Sequence, residues 1–287
     1  MELEEGKKAV ESRITDLVGG LLASPPIIYY KLHQALRDPD TSFEDFARII
    51  SLDPGLAARL MQLVNSPFYG LSTRVDNLSQ AISIVGVEQL MELALATEIV
   101  GKFKGIPKEL ADMEAFWVHS VACGLGARTI AADRGASLLE SYYLAGMLHD
   151  IGSLIIFKEI PQEARQVISR CLATGAHLSE KETEILGFNH NDVGRVLLEK
   201  WKLPERLVEA VYFHHHPLEA RKYPLETAII HVADILAYDM RLGYSGEPFV
   251  PPLSPKILEL LGLMENSVKE IRRTVQKQVN ELEGIFY

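Results

Sequence analysis

The chain has 287 residues, of which 47% are hydrophobic and 24% charged. That much apolar surface can offset the entropy of ordering, which excludes disorder along most of the chain, and the length sets an expectation of one or two domains. Against 29 Lys and Arg stand 39 Asp and Glu, a formal charge of −10, so the basic balance that a general nucleic-acid binder needs is missing.

The apolar spacing is helical almost throughout. Leu3, Val10, Ile14, Leu17, Val18 and Leu21 recur at three and four and predict an amphipathic first helix. Ser24-Pro25-Pro26 ends it and starts another. The flanking prolines give Ile27-Ile28-Tyr29-Tyr30 a helix start, although its propensity also fits a short strand. Ser42 with Asp45 three residues on is a cap for a helix through Ile50. Asp53-Pro54 supplies an N-cap and a first-turn proline, and that helix breaks at Asn65-Ser66-Pro67. The pattern then predicts helices near 77–85, 87–104, 110–132, 137–155, 161–174, 180–187, 191–200 and 204–214. Ser179 with Glu182 reads as a capping box for the sixth of these. An apolar stretch at 224–240 is long enough for a buried helix, Ser254-Pro255 opens the next, and 264–283 is polar and amphipathic. Softer boundaries fall near Lys104–Pro107 and in the Gly- and Pro-rich stretch Leu242–Pro252. The expected fold class is all-α.

Cys123 and Cys171 are the only cysteines and form no CxxC pair, so the expectation is a reduced, cytoplasmic protein without a disulfide framework. No run of 18 apolar residues predicts a membrane span, and the acidic Met1-Glu2-Leu3-Glu4-Glu5 is unlike a secretory signal.

Of nine histidines, His33 stands apart and the other eight lie between His119 and His231. His149-Asp150 is embedded in Tyr142-Tyr143-Leu144-Ala145-Gly146-Met147-Leu148 on one side and Ile151-Gly152 on the other. An imidazole beside a carboxylate in apolar surroundings is costly unless both are satisfied. A His–Asp hydrogen bond would do this, and so would a divalent transition metal, for which both are good ligands. Asp234, within Ile230-His231-Val232-Ala233-Asp234-Ile235-Leu236-Ala237, is a second carboxylate in an apolar helix with no adjacent Lys or Arg. His119, His190 and the run His214-His215-His216-Pro217 complete the set of candidates. Arg128, Lys158 and Arg195 are the cations nearest to them along the chain, and an exposed helix face accounts for each.

These residues resemble a known family. His119, His149-Asp150 and Asp234 follow the ordered H…HD…D ligand pattern of the HD superfamily of metal-dependent phosphohydrolases. Asp53-Pro54-Gly55-Leu56, Leu63-Val64-Asn65-Ser66, Ala81-Ile82-Ser83-Ile84-Val85-Gly86, Trp201-Lys202-Leu203-Pro204 and His214-His215-His216-Pro217 resemble its HDOD branch, over roughly residues 20–240. The resemblance implies a bacterial signalling module with an N-terminal helical subdomain (1–105), an HD-type metal-binding core (106–241) and a C-terminal loop and helical extension (242–287). Many HDOD members have lost the metal ligands, whereas this chain keeps them, together with histidines like those of the dinuclear HD-GYP branch, which hydrolyses cyclic di-GMP. By that comparison His190, His214 and His215 extend the set His119, His149, Asp150 and Asp234 to a site for one or two divalent ions, with Asp150 as the bridge. Iron or manganese is favoured and zinc is the third choice. If the chain is an active phosphohydrolase on a nucleotide or cyclic dinucleotide, Asp150 is the expected catalytic residue. Two departures point instead to a regulatory module. Ser153 stands where HD-GYP proteins carry a lysine, and Pro217-Leu218-Glu219-Ala220 replaces their Gly-Tyr-Pro segment. The expected partner is a signalling protein or a nucleotide ligand, with neither general nucleic-acid binding nor a membrane.

Overall fold

The computed structural model describes residues 2–20, 24–67, 69–103, 105–250 and 252–282. Met1, Leu21, Lys104 and residue 283, all named above, lie outside the described residues. Within them every regular element is helical, sixteen α-helices and one short 3-10 turn with no strand, so the all-α expectation holds.

Local chemistry starts several of these helices. In α3 (Phe43–Ile50) the Ser42 hydroxyl accepts from Asp45 N–H while the Asp45 carboxylate accepts from Ser42 N–H, the full capping box. In α4 (Pro54–Val64) Asp53 accepts from Leu56 N–H and Pro54 occupies the first turn. Asn65 ends α4 and clamps the next loop: its Nδ2 donates to Val75 O at 2.9 Å and its Oδ1 accepts from Val75 N at 2.8 Å. Ile27–Ala35 forms α2, so the strand alternative is overturned: Pro26 supplies the entry, and the Pro26 carbonyl accepts from Tyr30 N–H. Together α2, α3, α4, α5 (Leu78–Val85) and α6 (Val87–Val100) pack around one another. The first helix, α1 (Glu2–Val18), lies against two later ones, α9 (Ile151–Glu159) and α12 (His190–Lys200).

The centre of the molecule is α7 (Met113–Asp133), buried along most of its length and contacted by α8 (Leu139–Leu148), α14 (Pro224–Asp239) and α16 (Glu265–Leu282). Its small residues set the spacing. A Cβ at Gly146 on α8 would lie 2.6 Å from the Cα and N of Gly124 on α7, so only paired glycines let these two backbones approach so closely. Around this centre α10 (Pro161–Thr174), α11 (Leu178–Leu186), α13 (Glu205–Phe213) and α15 (Pro255–Leu260) complete the chain. The amphipathic α16 buries Val268, Ile271, Val275 and Val279 and ties its Arg272 to Asp239 of α14 at 2.7 Å.

Two sequence expectations are corrected. The single helix predicted over 137–155 is two, α8 and α9, broken at His149-Asp150. There the His149 ring donates from Nδ1 to Gly146 O at 2.7 Å, and Asp150 leaves helical geometry at φ −100°, ψ 14°. Ser179 and Glu182 do not cap α11 either: extended His177 precedes the helix, and the Glu182 side chain is turned inward.

Two buried polar links join α2–α6 to the core. The Ser141 hydroxyl donates to Glu92 Oε1 at 2.7 Å, while Arg206 Nη2 donates to Ser141 Oγ at 2.9 Å and lies 3.6 Å from the Glu92 carboxylate. Beside it, Tyr69 donates to Glu140 Oε1 at 3.1 Å, with Arg128 Nη2 3.6 Å away. Burial pushes the Glu92 carboxyl up to about 7, despite the hydrogen bond from Ser141 and the charge of Arg206. A folded Glu92 thus holds its proton where the unfolded chain, near the ordinary 4.5, has lost it. Its contribution to stability therefore falls as pH rises through that window.

Two outcomes follow from this packing. Gly146→Ala is expected to cost about 2–3 kcal/mol in urea unfolding, because the facing atoms are backbone and cannot turn aside. Glu92→Gln is expected to gain stability relative to the wild type between pH 5 and pH 8, read as a shift in urea midpoints. A difference that does not change with pH would contradict the burial argument.

Candidate metal centre

Five parts of the core deliver histidines and carboxylates to one place. His119 comes from the middle of α7, His149 and Asp150 from the α8–α9 break, and His190 from the first position of α12. His214 and His215 follow the end of α13, and Asp234 comes from α14. All seven candidate ligands are brought together, and apart from half-buried His215 they are buried. Gly152 makes one of these approaches feasible, since a Cβ there would run into the backbone carbonyl of His190.

The distances link the groups. His119 Nε2 is 3.1 Å from Asp234 Oδ1, and His149 Nε2 is 3.1 Å from Asp150 Oδ2 and 3.5 Å from Asp234 Oδ1. His190 Nε2 and His214 Nε2 each lie 3.5 Å from Asp150 Oδ1, and His190 Nε2 is 2.9 Å from His215 Nε2. The opposite edge of three rings is occupied. His149 donates from Nδ1 to Gly146 O and His214 from Nδ1 to Val211 O, both at 2.7 Å; His190 donates from Nδ1 to Glu182 Oε2 at 2.6 Å. When neutral, each of these rings keeps its proton on Nδ1 and turns the Nε2 lone pair inward, the tautomer a metal ligand needs.

The electrostatics agree. Burial would raise the Asp150 carboxyl, but the facing His149 imidazole, with those of His214 and His190 close by, holds it well below the usual range. Asp234 is depressed in the same way against burial, by its hydrogen bond to His119 and the facing His149 imidazole. Burial opposes charge on His149 as well, and Asp150 overcomes it to raise that imidazole well above its ordinary value. Burial prevails at His214, which is lowered, and at His215, which is lowered further with the help of neighbouring imidazoles.

A metal ion fits this donor set. The Nε2 atoms of His149 and His214 are buried without a hydrogen-bond partner, in a centre where carboxylates and imidazoles lie within 4.8 Å of one another in overlapping groups. Borderline nitrogen and hard carboxylate donors together suit a divalent transition metal.

The HDOD domain family matches residues 22–217. The chain belongs to the HDOD family. An uncharacterized protein from Treponema pallidum (strain Nichols) is 23% identical over 217 residues, 75% of this chain, and the match spans only 42% of that relative's length. Among solved structures, a candidate phosphohydrolase from Shewanella amazonensis SB2B is similar at 25% identity and a TM-score of 0.71, over 92% of this chain and 94% of the other. A candidate signal-transduction protein from Marinobacter aquaeolei VT8 shares the fold at 22% identity and a TM-score of 0.73, over 97% of this chain and 64% of the other.

The remaining candidates sort themselves by contact. His231 stands beside the centre, donating from Nδ1 to His214 O at 2.7 Å. Arg195 pairs with Glu199 and stacks on Tyr212, and Arg128 faces Glu140 and Tyr69. Ser153 is buried, its hydroxyl unpartnered. Two carboxylates were not foreseen as part of the surroundings. Glu182 is fully buried and accepts from both the backbone N–H and the Nδ1–H of His190. Glu247, from the segment after α14, accepts from Leu178 N–H at the head of α11. Burial pushes its carboxyl up to about 8, against the Leu178 N–H and the nearby charge of His190.

Glu182→Gln keeps the shape of the side chain and removes the charge that orients His190. The expected result is metal affinity about 10–100-fold weaker by competition with a chelator, with an unchanged helical circular-dichroism spectrum. Unaltered affinity would show that Glu182 plays no part in positioning His190.

Proposed function

We propose that this chain is a metal-binding HDOD regulatory module of bacterial signal transduction with a dinuclear His/Asp centre. The observation that carries the reading is the placement of Asp150. One carboxylate oxygen faces His149, which lies close to His119 and 3.5 Å from Asp234, while the other faces His190 and His214, beside His215. A carboxylate turned both ways in this manner suits a bridge between two ions. On this reading His119, His149 and Asp234 hold one ion and His190, His214 and His215 the other, with iron or manganese preferred to zinc. When bound, such ions supply Lewis acidity and fixed positive charge. The residues of the chain bind and orient: Gly146 O, Val211 O and Glu182 fix three ring tautomers, and burial keeps most of the centre from water.

Regulation is favoured over turnover by the surroundings. A cation beyond the metals would help to hold a phosphoryl substrate; Ser153 fills the position of the HD-GYP lysine, and Arg128 and Arg195 are engaged with carboxylates and rings, which leaves Lys158 in the last turn of α9. The complete donor set supports the second reading, a phosphohydrolase on a nucleotide or cyclic dinucleotide with Asp150 at its centre. The partner of the regulatory module is a signalling protein or a nucleotide ligand.

A phosphate-release screen over nucleotides and cyclic dinucleotides, with manganese or iron added, separates the two. The regulatory reading expects no turnover above that of Asp150→Ala. Turnover that this substitution abolishes would replace it with the hydrolase.

A further inference from the structure

A cavity of about 350 Å³ lies between α8, α13 and α14, away from the donor atoms of the His/Asp centre. Its volume is at the lower end of the roughly 300–1,000 Å³ typical of small-molecule sites, which suits one small metabolite. The floor is apolar, made by Ala145, Leu207, Ala210 and Ile230. Two opposite charges face this floor. Arg206 spends one Nη on Ser141 beside Glu92, while its Nε is buried without a partner. Glu226 is half-buried and has neither an ion pair nor a hydrogen bond among the described residues. Tyr142, also in the wall, lies within electrostatic reach of both charges. At the mouth, Leu138 is held in left-handed backbone at φ 58° with its side chain partly exposed. A branched residue persists in that conformation only where its surroundings enforce it, and such strain clusters at ligand sites.

We propose that this cavity binds a small metabolite carrying a carboxylate or phosphate at one end and a hydrogen-bond donor at the other, with an aromatic or aliphatic body between. The acid group meets Arg206, whose planar fork matches carboxylate and phosphate oxygens. The donor, an amine or hydroxyl, satisfies Glu226, and the body covers the apolar floor. A simple anion does not meet these requirements, because Glu226 would repel it. The site is independent of the metal reading but adjacent to it. Ala145, Ala210 and Ile230 each stand four residues, one helical turn, before His149, His214 and Asp234. Arg206 is also the residue that reaches Glu92 of α6, so an occupant draws on the same guanidinium that joins the N-terminal helices to the core.

The test is ligand-observed NMR followed by calorimetry with three acid-bearing probes: 4-(aminomethyl)benzoate, tyramine phosphate and adenosine 5′-monophosphate. Each is paired with its counterpart lacking the acid: 4-(aminomethyl)benzamide, tyramine and adenosine. The three probes distinguish an amino acid, an aryl phosphate and a nucleotide as the source of the acid. At least one is expected to bind at a single site with Kd below about 1 mM, about tenfold or more tighter than its counterpart. Arg206→Lys keeps a positive charge beside Glu92 but removes the fork, and is expected to weaken binding about tenfold; Glu226→Gln acts in the same direction. Chelator-treated protein is expected to bind equally well. No saturable binding by any probe, binding indifferent to Arg206→Lys, or binding lost with the metal would overturn the proposal.

Discussion

Asp150 and Asp234 are almost wholly removed from water where α7, α12 and α14 meet the ends of α8 and α13. Burying one unpaired carboxylate costs several kcal/mol, and burying two close together is tolerable only with positive charge or donors on every open side. The rest of the core can be understood from that requirement. In the protein alone His119 hydrogen-bonds Asp234 and the imidazoles of His149 and His190 supply positive charge, to which metal ions would add. Backbone carbonyls and Glu182 hold the rings so that the Nε2 atoms turn toward the carboxylates. The helix break at His149-Asp150 serves the same end, because it redirects the chain after Asp150 so that α9 packs against α12, the helix that carries His190.

The N-terminal helices are joined to this core through polar side chains in its wall. Glu92 of α6 reaches Ser141 and Arg206, and Tyr69 reaches Glu140. Both links begin on α8, the helix that ends at His149. A change in either link is thus one rigid helix away from the metal ligands, a geometry suited to a module that reports on one part of the molecule to another.

Much of this was legible in the sequence where the determinant is local. Ser42 with Asp45 and Asp53-Pro54 specify their helix starts through side-chain to backbone bonds, and both form as their spacing predicts. The seven candidate ligands could be named because carboxylates and histidines within apolar runs are costly without partners, and because their order resembles a family pattern. What stayed hidden depends on distant parts of the chain. Nothing in the apolar run on either side of His149 marks a break; the turn is supported by Gly152 meeting the backbone of His190. Glu182 satisfied a capping-box pattern with Ser179, and only the folded chain shows its carboxylate committed to His190. Glu247 lay in a stretch that its glycines and prolines marked as a loop, a composition that says nothing of where the carboxylate docks.

The central claim is that the His/Asp cluster is a working metal site built around Asp150. Elemental analysis of protein purified without chelator tests it most directly, with His149→Ala and Asp150→Ala prepared in parallel and checked for helical content. The account predicts about two equivalents of iron or manganese per chain, reduced in both variants while the fold is kept. Metal at less than about 0.2 equivalents in the wild type, or a content that both substitutions leave unchanged, would contradict it.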